Sequence, residues 1–298
     1  MLLHLLEFFK EQEIEYAEKL DVSTVSYVKI GGAAAYAAMP SSTEKLVKLV
    51  DFLIEAEIPY RLVGAMSNIL PKDEDYRGVL IITTKCNGYI LAENGINAEC
   101  GVKLSRVIRD AARLGLCGAE SLFGIPGTVG GMVYSNAGAY GVSVSDLLTR
   151  ATVYSPGEKK IFVLDADDFK FSYRHSELMG TDNILLSADF AVHKDDAVKI
   201  LERISAVGKK RRDTQPCDLP SLGSVFKRSG DVPISLLIDK LGLKGLSVGG
   251  AQISKKHAGF IVNTGGATEK NFLELVFLIK NRVYEEYGIM PVEEIERF

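Results

Sequence analysis

Hydrophobic positions along this chain follow two rhythms, one near 3.6 residues and one near two, and the rhythm switches many times. The opening MLLHLLEFFKEQ is apolar but interrupted by Glu7 and Lys10, and no small-residue cleavage site follows. It reads as an amphipathic helix rather than a secretory signal. Tyr27–Met39 is strand-like with a break at Gly31-Gly32, and residues 43–56 carry helical spacing at Leu46, Leu49, Val50 and Leu53. Tyr60–Val63 reads as a short strand. With Pro40 and Pro59 as punctuation, these segments predict a βαβ-like unit. From Val79 onward short β-rich runs recur (VLIITT, INAECGV, ATVYSPGEKKIFVL, NILLSADFAVH), interrupted by one helix over Leu104–Leu114 with Ser105 near its start and Gly115 past its end.

From Asp196 the pattern changes. Residues 197–211 are helical in period, 236–241 form a short helix ending at Gly242, and 269–287 form a long amphipathic helix, with a strand-like segment at 259–262. The spacing therefore predicts one mixed α/β part up to about residue 198 and a smaller α+β part after it. The length, 298 residues, allows about two domains.

Charge and cysteine content narrow the function classes. A formal net charge of -4 argues against a nucleic-acid grip. The one basic cluster, Lys209-Lys210-Arg211-Arg212, reads as a solvated helix end, with a phosphate-bearing substrate as the other use for it. Cys86, Cys100, Cys117 and Cys217 are scattered, without the close spacing of a structural zinc site or a redox dithiol, so no metal is expected. No apolar run approaches the roughly 18 residues of a spanning helix, and the expectation is a cytoplasmic protein without a membrane partner.

Five segments carry candidate chemistry. GIPGTVGGMVYSNAGAYG, residues 124–141, is rich in glycine and has no charged side chain, which suits either tight turns or backbone amides held against an anionic group such as a diphosphate. LVGAMSNIL is a strand running into Gly64, followed by Ser67 and Asn68; it suits a phosphate loop or an ordinary strand-end turn. FSYRHSEL offers Arg174 as a fixed cation for a carboxylate, or as a surface arginine. LGSVFKRSGD places Ser224 before Lys227 and Arg228 with no nucleophile-elbow pattern, so its hydroxyl suits proton donation or the capping of a turn. PVEEIERF interleaves Val292 and Ile295 with carboxylates and suits either a solvated tail or a short strand, which would turn Glu294 away from the face of Glu293 and Ile295.

Taken in order, these motifs, together with KKRRDTQPCDLPSLGSVFKR, LGLKGLSVGGAQISKKHAGFIVN and GIMPVEEIE, resemble the UDP-N-acetylenolpyruvoylglucosamine reductases of peptidoglycan precursor synthesis, from about Tyr27 to the C-terminus. No tyrosine-bearing insertion lies between Arg174 and Ser224, which resembles the shorter branch of that family. The resemblance implies an α+β protein: a two-subdomain FAD-binding module of the vanillyl-alcohol-oxidase type over residues 1–198 (subdomains about 1–66 and 67–198), then a substrate-binding domain over 199–298 whose tail returns to the active site. It implies FAD and NADPH as cofactors, a nucleotide-sugar substrate, and a monomer. Hydride from NADPH reaches the terminal enolpyruvyl carbon by way of the flavin, and a proton reaches the adjacent carbon.

By the same resemblance Arg174 and Glu294 polarise the substrate carboxylate, Glu294 as a protonated or proton-sharing carboxyl, and Ser224 delivers the proton. Tyr140, Tyr173, Lys227, Arg228 and His257 line the substrate site. FAD lies against Gly64, Ala65, Met66, Ser67 and Asn68, and against Pro126, Gly127, Thr128, Gly130, Gly131, Asn136 and Gly138. The chain departs from the family pattern at Met66, where G-x-G-S-N has its second glycine, and at Val142-Ser143, where Gly-Glu is usual. If position 66 takes positive φ, Met66 is strained by about 1 kcal/mol. A related FAD-dependent alcohol or hydroxy-acid oxidase, or a non-catalytic paralogue that binds flavin or nucleotide sugar, would share part of these features.

Overall fold

The helix expected from Leu46, Leu49, Val50 and Leu53 forms over Thr43–Glu55 in the computed structural model, which describes residues 2–93 and 95–298. Ser42 caps it, its hydroxyl accepting the Lys45 N–H at 3.3 Å and satisfying one of the amides that a helix start leaves open. All four apolar side chains are fully buried. Each such burial is worth about 1.5–3 kcal/mol against exposure.

Two units are formed, and the chain passes between them several times. The first comprises Met1–Glu18, Tyr36–Ala65 and Arg77–Lys209; the second comprises Lys19–Ala35, Met66–Tyr76 and Lys210–Phe298. The first unit contains a five-stranded antiparallel sheet in the order Lys160–Asp165, Leu148–Ser155, Ile184–Ala191, Gly95–Glu99, Tyr89–Ala92. ATVYSPGEKKIFVL thus resolves into a hairpin. Helix Leu104–Arg113 buries Leu104, Val107, Ile108, Ala111 and Ala112 and leaves Arg106, Arg109 and Arg113 exposed, as an i, i+3, i+4, i+7, i+8 stripe requires.

A second sheet has the order Glu15–Asp21, Ala33–Met39, Tyr76–Ile82, Tyr60–Val63. The last two strands run parallel, Tyr60 opposite Val79 through Val63 opposite Ile82. The βαβ expectation is thereby modified, because Tyr76–Ile82 inserts between the two strands it joined. The strand expected over 27–39 begins only at Ala33. Gly31 takes φ +140°, and the Gly32 N–H is drawn to the Lys72 carbonyl at 2.9 Å instead of continuing a ladder.

The second unit is built on a four-stranded antiparallel sheet, Ser221–Ser224, Phe260–Asn263, Ala251–Ile253, Ser247–Val248. Helix Glu269–Tyr287 contributes Phe272, Leu275, Val276, Ile279 and Val283 to its core. A capping box starts that helix: Thr268 Oγ1 accepts the Asn271 N–H at 3.1 Å, and Asn271 Oδ1 accepts the Thr268 N–H at 3.3 Å. It ends at Gly288, φ +66°. Two long-range attachments recruit distant chain to this unit. Buried Asn263 donates through Nδ2 to the carbonyls of Val28 and Lys29 at 3.0 and 3.1 Å, and Asp73 Oδ1 accepts the Glu269 N–H at 2.8 Å. Segments 19–35 and 66–76 are held there by these bonds and by Val28, Ile30 and Leu70 in the apolar cluster.

Folding also sets the surroundings of two groups of polar residues. Cys86 and Cys100, 14 positions apart, meet in the first unit, where the neighbouring Cys86 side chain, together with burial, pushes the Cys100 thiol well above the ordinary thiol range. Within the basic cluster Arg211 is buried, not solvated, and donates to Gln215 Oε1 at 3.2 Å. Among the described residues no group of three His, Cys, Asp or Glu side chains is arranged to hold a metal ion, and no helix is long and apolar enough to cross a membrane.

Candidate active site

In the first unit the glycine-rich segment is shaped by hydrogen bonds made at its own backbone. Gly124 N–H donates to Ser105 Oγ at 2.9 Å, Val129 N–H to the Val102 carbonyl at 2.9 Å, and Gly130 N–H to the Cys100 carbonyl at 2.8 Å. Gly130 is therefore a packing position, where a Cβ would lie 3.2 Å from both Cβ and O of Cys100. At the end of strand Tyr60–Val63, Gly64 comes so close to the buried Thr128 that a Cβ on it would lie 2.3 Å from Thr128 Oγ1. The two loops singled out in the sequence are thus in direct contact at Gly64 and Thr128.

The same segment closes with a hairpin, Val142 opposite Ala139 and Ser143 opposite Gly138. Its two turn residues, Tyr140 and Gly141, have φ +54° and +85°, the sign pattern of a type I′ turn. The tyrosine ring is displayed, 39% exposed, at the tip. Tyr173 and Arg174 occupy a comparable tip: Ser172 and His175 exchange backbone hydrogen bonds at 3.2 and 3.1 Å, and Arg174 between them has φ +56°. An arginine in that region costs about 1–2 kcal/mol, so the surrounding bonds must hold it. Its guanidinium stands 5.1 Å from the Tyr173 ring centre and donates through Nη2 to the Gly138 carbonyl at 2.9 Å and through Nη1 to the Asn136 carbonyl at 3.5 Å.

Asn136, itself at φ +43°, has both ends of its amide engaged within the fold. Nδ2 donates to the Ser172 carbonyl at 2.9 Å and Oδ1 accepts the Ser145 N–H at 3.0 Å. Its carboxamide is thus held within the fold at both ends.

In the second unit the C-terminal tail is laced along the segment that carries Ser224. Glu294 N–H donates to the Val225 carbonyl at 2.8 Å, Lys227 N–H to the Val292 carbonyl at 2.9 Å, and Glu293 bridges Phe226. Beyond it Glu296–Arg297 pairs in parallel with Ile69–Leu70. Asn68 Nδ2 donates to the Glu294 carbonyl at 3.0 Å, and its own carbonyl accepts the Glu296 N–H at 2.9 Å. Ser224, Glu294 and Asn68 are in this way brought to one place. Met66, two residues earlier, is buried with φ +50°, the left-handed region in which a methionine is strained.

Neighbouring carboxylates in the tail have different surroundings. Glu293 is claimed by Lys280 at 3.1 Å and Arg297 at 2.7 Å; burial works to raise its pKa, but the two cations hold it below the ordinary carboxylate range. Lys280 carries no signal in the sequence that would have marked it. Half-buried, His257 stands edge-on to Phe260, with ring centres 4.9 Å apart. Its Nδ1 accepts the Gly259 N–H at 3.1 Å, and burial together with nearby Lys244 lowers its pKa. The ring is therefore neutral near pH 7 and carries its proton on Nε2, a donor rather than a cation. Lys227 is half-buried and Arg228 exposed.

Against known families, residues 34–161 match the FAD binding domain and residues 215–298 match the C-terminal domain of UDP-N-acetylenolpyruvoylglucosamine reductase. The UDP-N-acetylenolpyruvoylglucosamine reductase of Caldicellulosiruptor bescii is 40% identical over 291 residues, 97% of this chain and 92% of its own. That of Lactobacillus helveticus is 39% identical over 281 residues, 94% of each chain. Among solved structures, the UDP-N-acetylenolpyruvylglucosamine reductase of Thermus caldophilus matches with a TM-score of 0.80 and 32% identity, covering 96% of this chain and 98% of its own.

Proposed function

Because the chain belongs to the UDP-N-acetylenolpyruvoylglucosamine reductase family, we propose that Arg174, Ser224 and Glu294 carry that family's chemistry here. The protein is an FAD-dependent, NADPH-linked oxidoreductase that reduces the enolpyruvyl ether of UDP-N-acetylglucosamine to UDP-N-acetylmuramate in peptidoglycan precursor synthesis. When bound, FAD supplies the hydride, received from NADPH, for the terminal enolpyruvyl carbon.

The residues present fit that cofactor. Gly64 leaves no room for a side chain beside Thr128, Gly127 takes φ +153°, and residues 124–141 contain no charged side chain to repel a diphosphate. Backbone amides of Gly64, Ala65, Ser67 and of Gly127, Thr128 and Gly131 are assigned to FAD, with Pro126, Gly130 and Gly138 shaping the loop. Met66 and Asn68 shape the other. The FAD-binding part is assigned to residues 1–198 and the substrate-binding part to 199–298, which the two family matches support.

Arg174 holds the substrate carboxylate and stabilises the charge that develops on it as hydride arrives. Glu294, as a protonated or proton-sharing carboxyl, donates to the same group. Ser224 Oγ gives its proton to the carbon next to the carboxylate. Tyr140, Tyr173, Lys227, Arg228 and His257 bind the remainder of the substrate, His257 through its Nε2–H. The observation that carries this reading is the Glu294 N–H bonded to the Val225 carbonyl at 2.8 Å, which fastens the backbone of Glu294 beside Ser224. Action as a monomer is part of the same proposal, and use of NADPH and a UDP-sugar assigns it to the cytoplasm.

The test separates the two half-reactions under anaerobic conditions. With Ser224→Ala, bleaching of the yellow protein by NADPH persists while recolouring by the enolpyruvyl substrate collapses. Loss of both together, or of neither, overturns the assignment of the serine.

A further inference from the structure

We propose that Asn136 is a positioning residue for Arg174, and not a contact of the cofactor. This rests on the role assigned to Arg174 above.

The carboxamide of Asn136 is 95% withdrawn from solvent with its residue, which is 5% exposed, and it joins three stretches of chain. Its Nδ2 donates to the Ser172 carbonyl at 2.9 Å, its Oδ1 accepts the Ser145 N–H at 3.0 Å, and its backbone lies at the foot of the hairpin that displays Tyr140. Ser172 is the first residue of the four-residue turn that carries Tyr173 and Arg174, and its carbonyl also receives the His175 N–H at 3.1 Å. Asn136 thus grips the base of that turn at the atom that closes it.

Two more features tie this grip to the guanidinium. The Asn136 and Gly138 carbonyls, one residue apart on the same loop, are acceptors of Arg174 Nη1 and Nη2 at 3.5 and 2.9 Å. Side chain and backbone of one short segment therefore fix both the root and the tip of Arg174. Such fixing is needed, because Arg174 occupies the left-handed region at φ +56°, where its intrinsic preference would let the turn relax. Asparagine is well suited to the task, since it tolerates the φ of +43° at position 136 and carries a donor and an acceptor on one planar group.

The variant Asn136→Asp keeps the size, the tolerance of positive φ and the Oδ1 acceptor, but turns an acceptor oxygen toward the Ser172 carbonyl in place of the donor. Flavin content, judged from visible absorbance, and bleaching by NADPH stay at the wild-type level. Recolouring by the enolpyruvyl substrate falls roughly 10²-fold, the scale set by displacing a positioned group by about 1 Å. In an Arg174→Ala background the same change costs nothing further, the signature of two residues acting as one unit. Asn136→Gly, which suits the backbone and deletes the amide, repeats this pattern if Asn136→Asp does not fold.

Losses that add in the double variant overturn the proposal while leaving the role of Arg174 intact. Loss of flavin from Asn136→Asp or Asn136→Gly at unchanged Arg174 behaviour also overturns it and returns the residue to the cofactor. An Arg174→Ala protein that recolours at the normal rate sinks the role of Arg174 itself, and the positioning role with it.

Discussion

Replacing Met66 by the glycine that the family pattern has at that position lowers stability, although it relieves a strained backbone. Met66 has φ +50° and is 3% exposed. A non-glycine residue in the left-handed region costs about 1–2 kcal/mol, whereas truncating a buried methionine to alanine costs about 2–5 kcal/mol. Met66→Ala keeps the strain and suffers the whole packing loss. Met66→Gly recovers about 1–2 kcal/mol of strain and gives back about 0.4–1 kcal/mol through the greater freedom of its unfolded chain. The expected order is wild type, then Met66→Gly lower by about 1–4 kcal/mol, then Met66→Ala lower again by about 0.5–1 kcal/mol. Equilibrium urea denaturation with FAD in excess, followed by circular dichroism, measures this order. A glycine variant more stable than wild type refutes the dominance of packing, and an alanine variant above the glycine variant refutes the left-handed backbone.

Gly64→Ala forces a Cβ to 2.3 Å from Thr128 Oγ1 and costs about 1–3 kcal/mol as an overpacked contact; Thr128→Ala in the same protein restores most of it, and thermal melts that show no rescue count against the contact. Arg174→Ala slows the oxidative half-reaction by about 10²–10³, the scale of one lost oxyanion donor, with NADPH bleaching retained in stopped-flow traces. The lowered pKa of Glu293 has a defined sign: its stabilisation is present above the unfolded carboxylate value and is lost as pH falls through the folded one. Lys280→Met therefore flattens the fall in stability on acidification below about pH 4.3, and an unchanged acid profile shows that the pair at 3.1 Å does not set it.

Local pattern was enough to find several elements. The periodic residues of 269–287 give a helix with those bounds because its capping box and its terminal glycine are also local, and Leu104–Arg113 follows from one apolar stripe. The functional segments were legible as types: a loop without charges, an arginine in a polar turn, a serine after glycine, a carboxylate on an alternating tail. Their order along the chain carried the family. By contrast, the strand expected from Tyr27 starts at Ala33, since Gly32 is drawn to the Lys72 carbonyl, a partner that no window of sequence around it contains.

What the sequence determined by itself was therefore the set of side chains able to do the chemistry and the elements that present them. Only the tertiary structure decided which partners each side chain meets. Asn68 and Asn136 both look like loop residues for a phosphate, yet one donates to the Glu294 carbonyl and the other to the Ser172 carbonyl. Of two adjacent glutamates, Glu293 is claimed by Lys280 and Arg297, while the backbone of Glu294 is bonded beside Ser224. The physical reason is that backbone carbonyls and amides are the commonest partners, every residue offers them, and their positions exist only once distant segments have met.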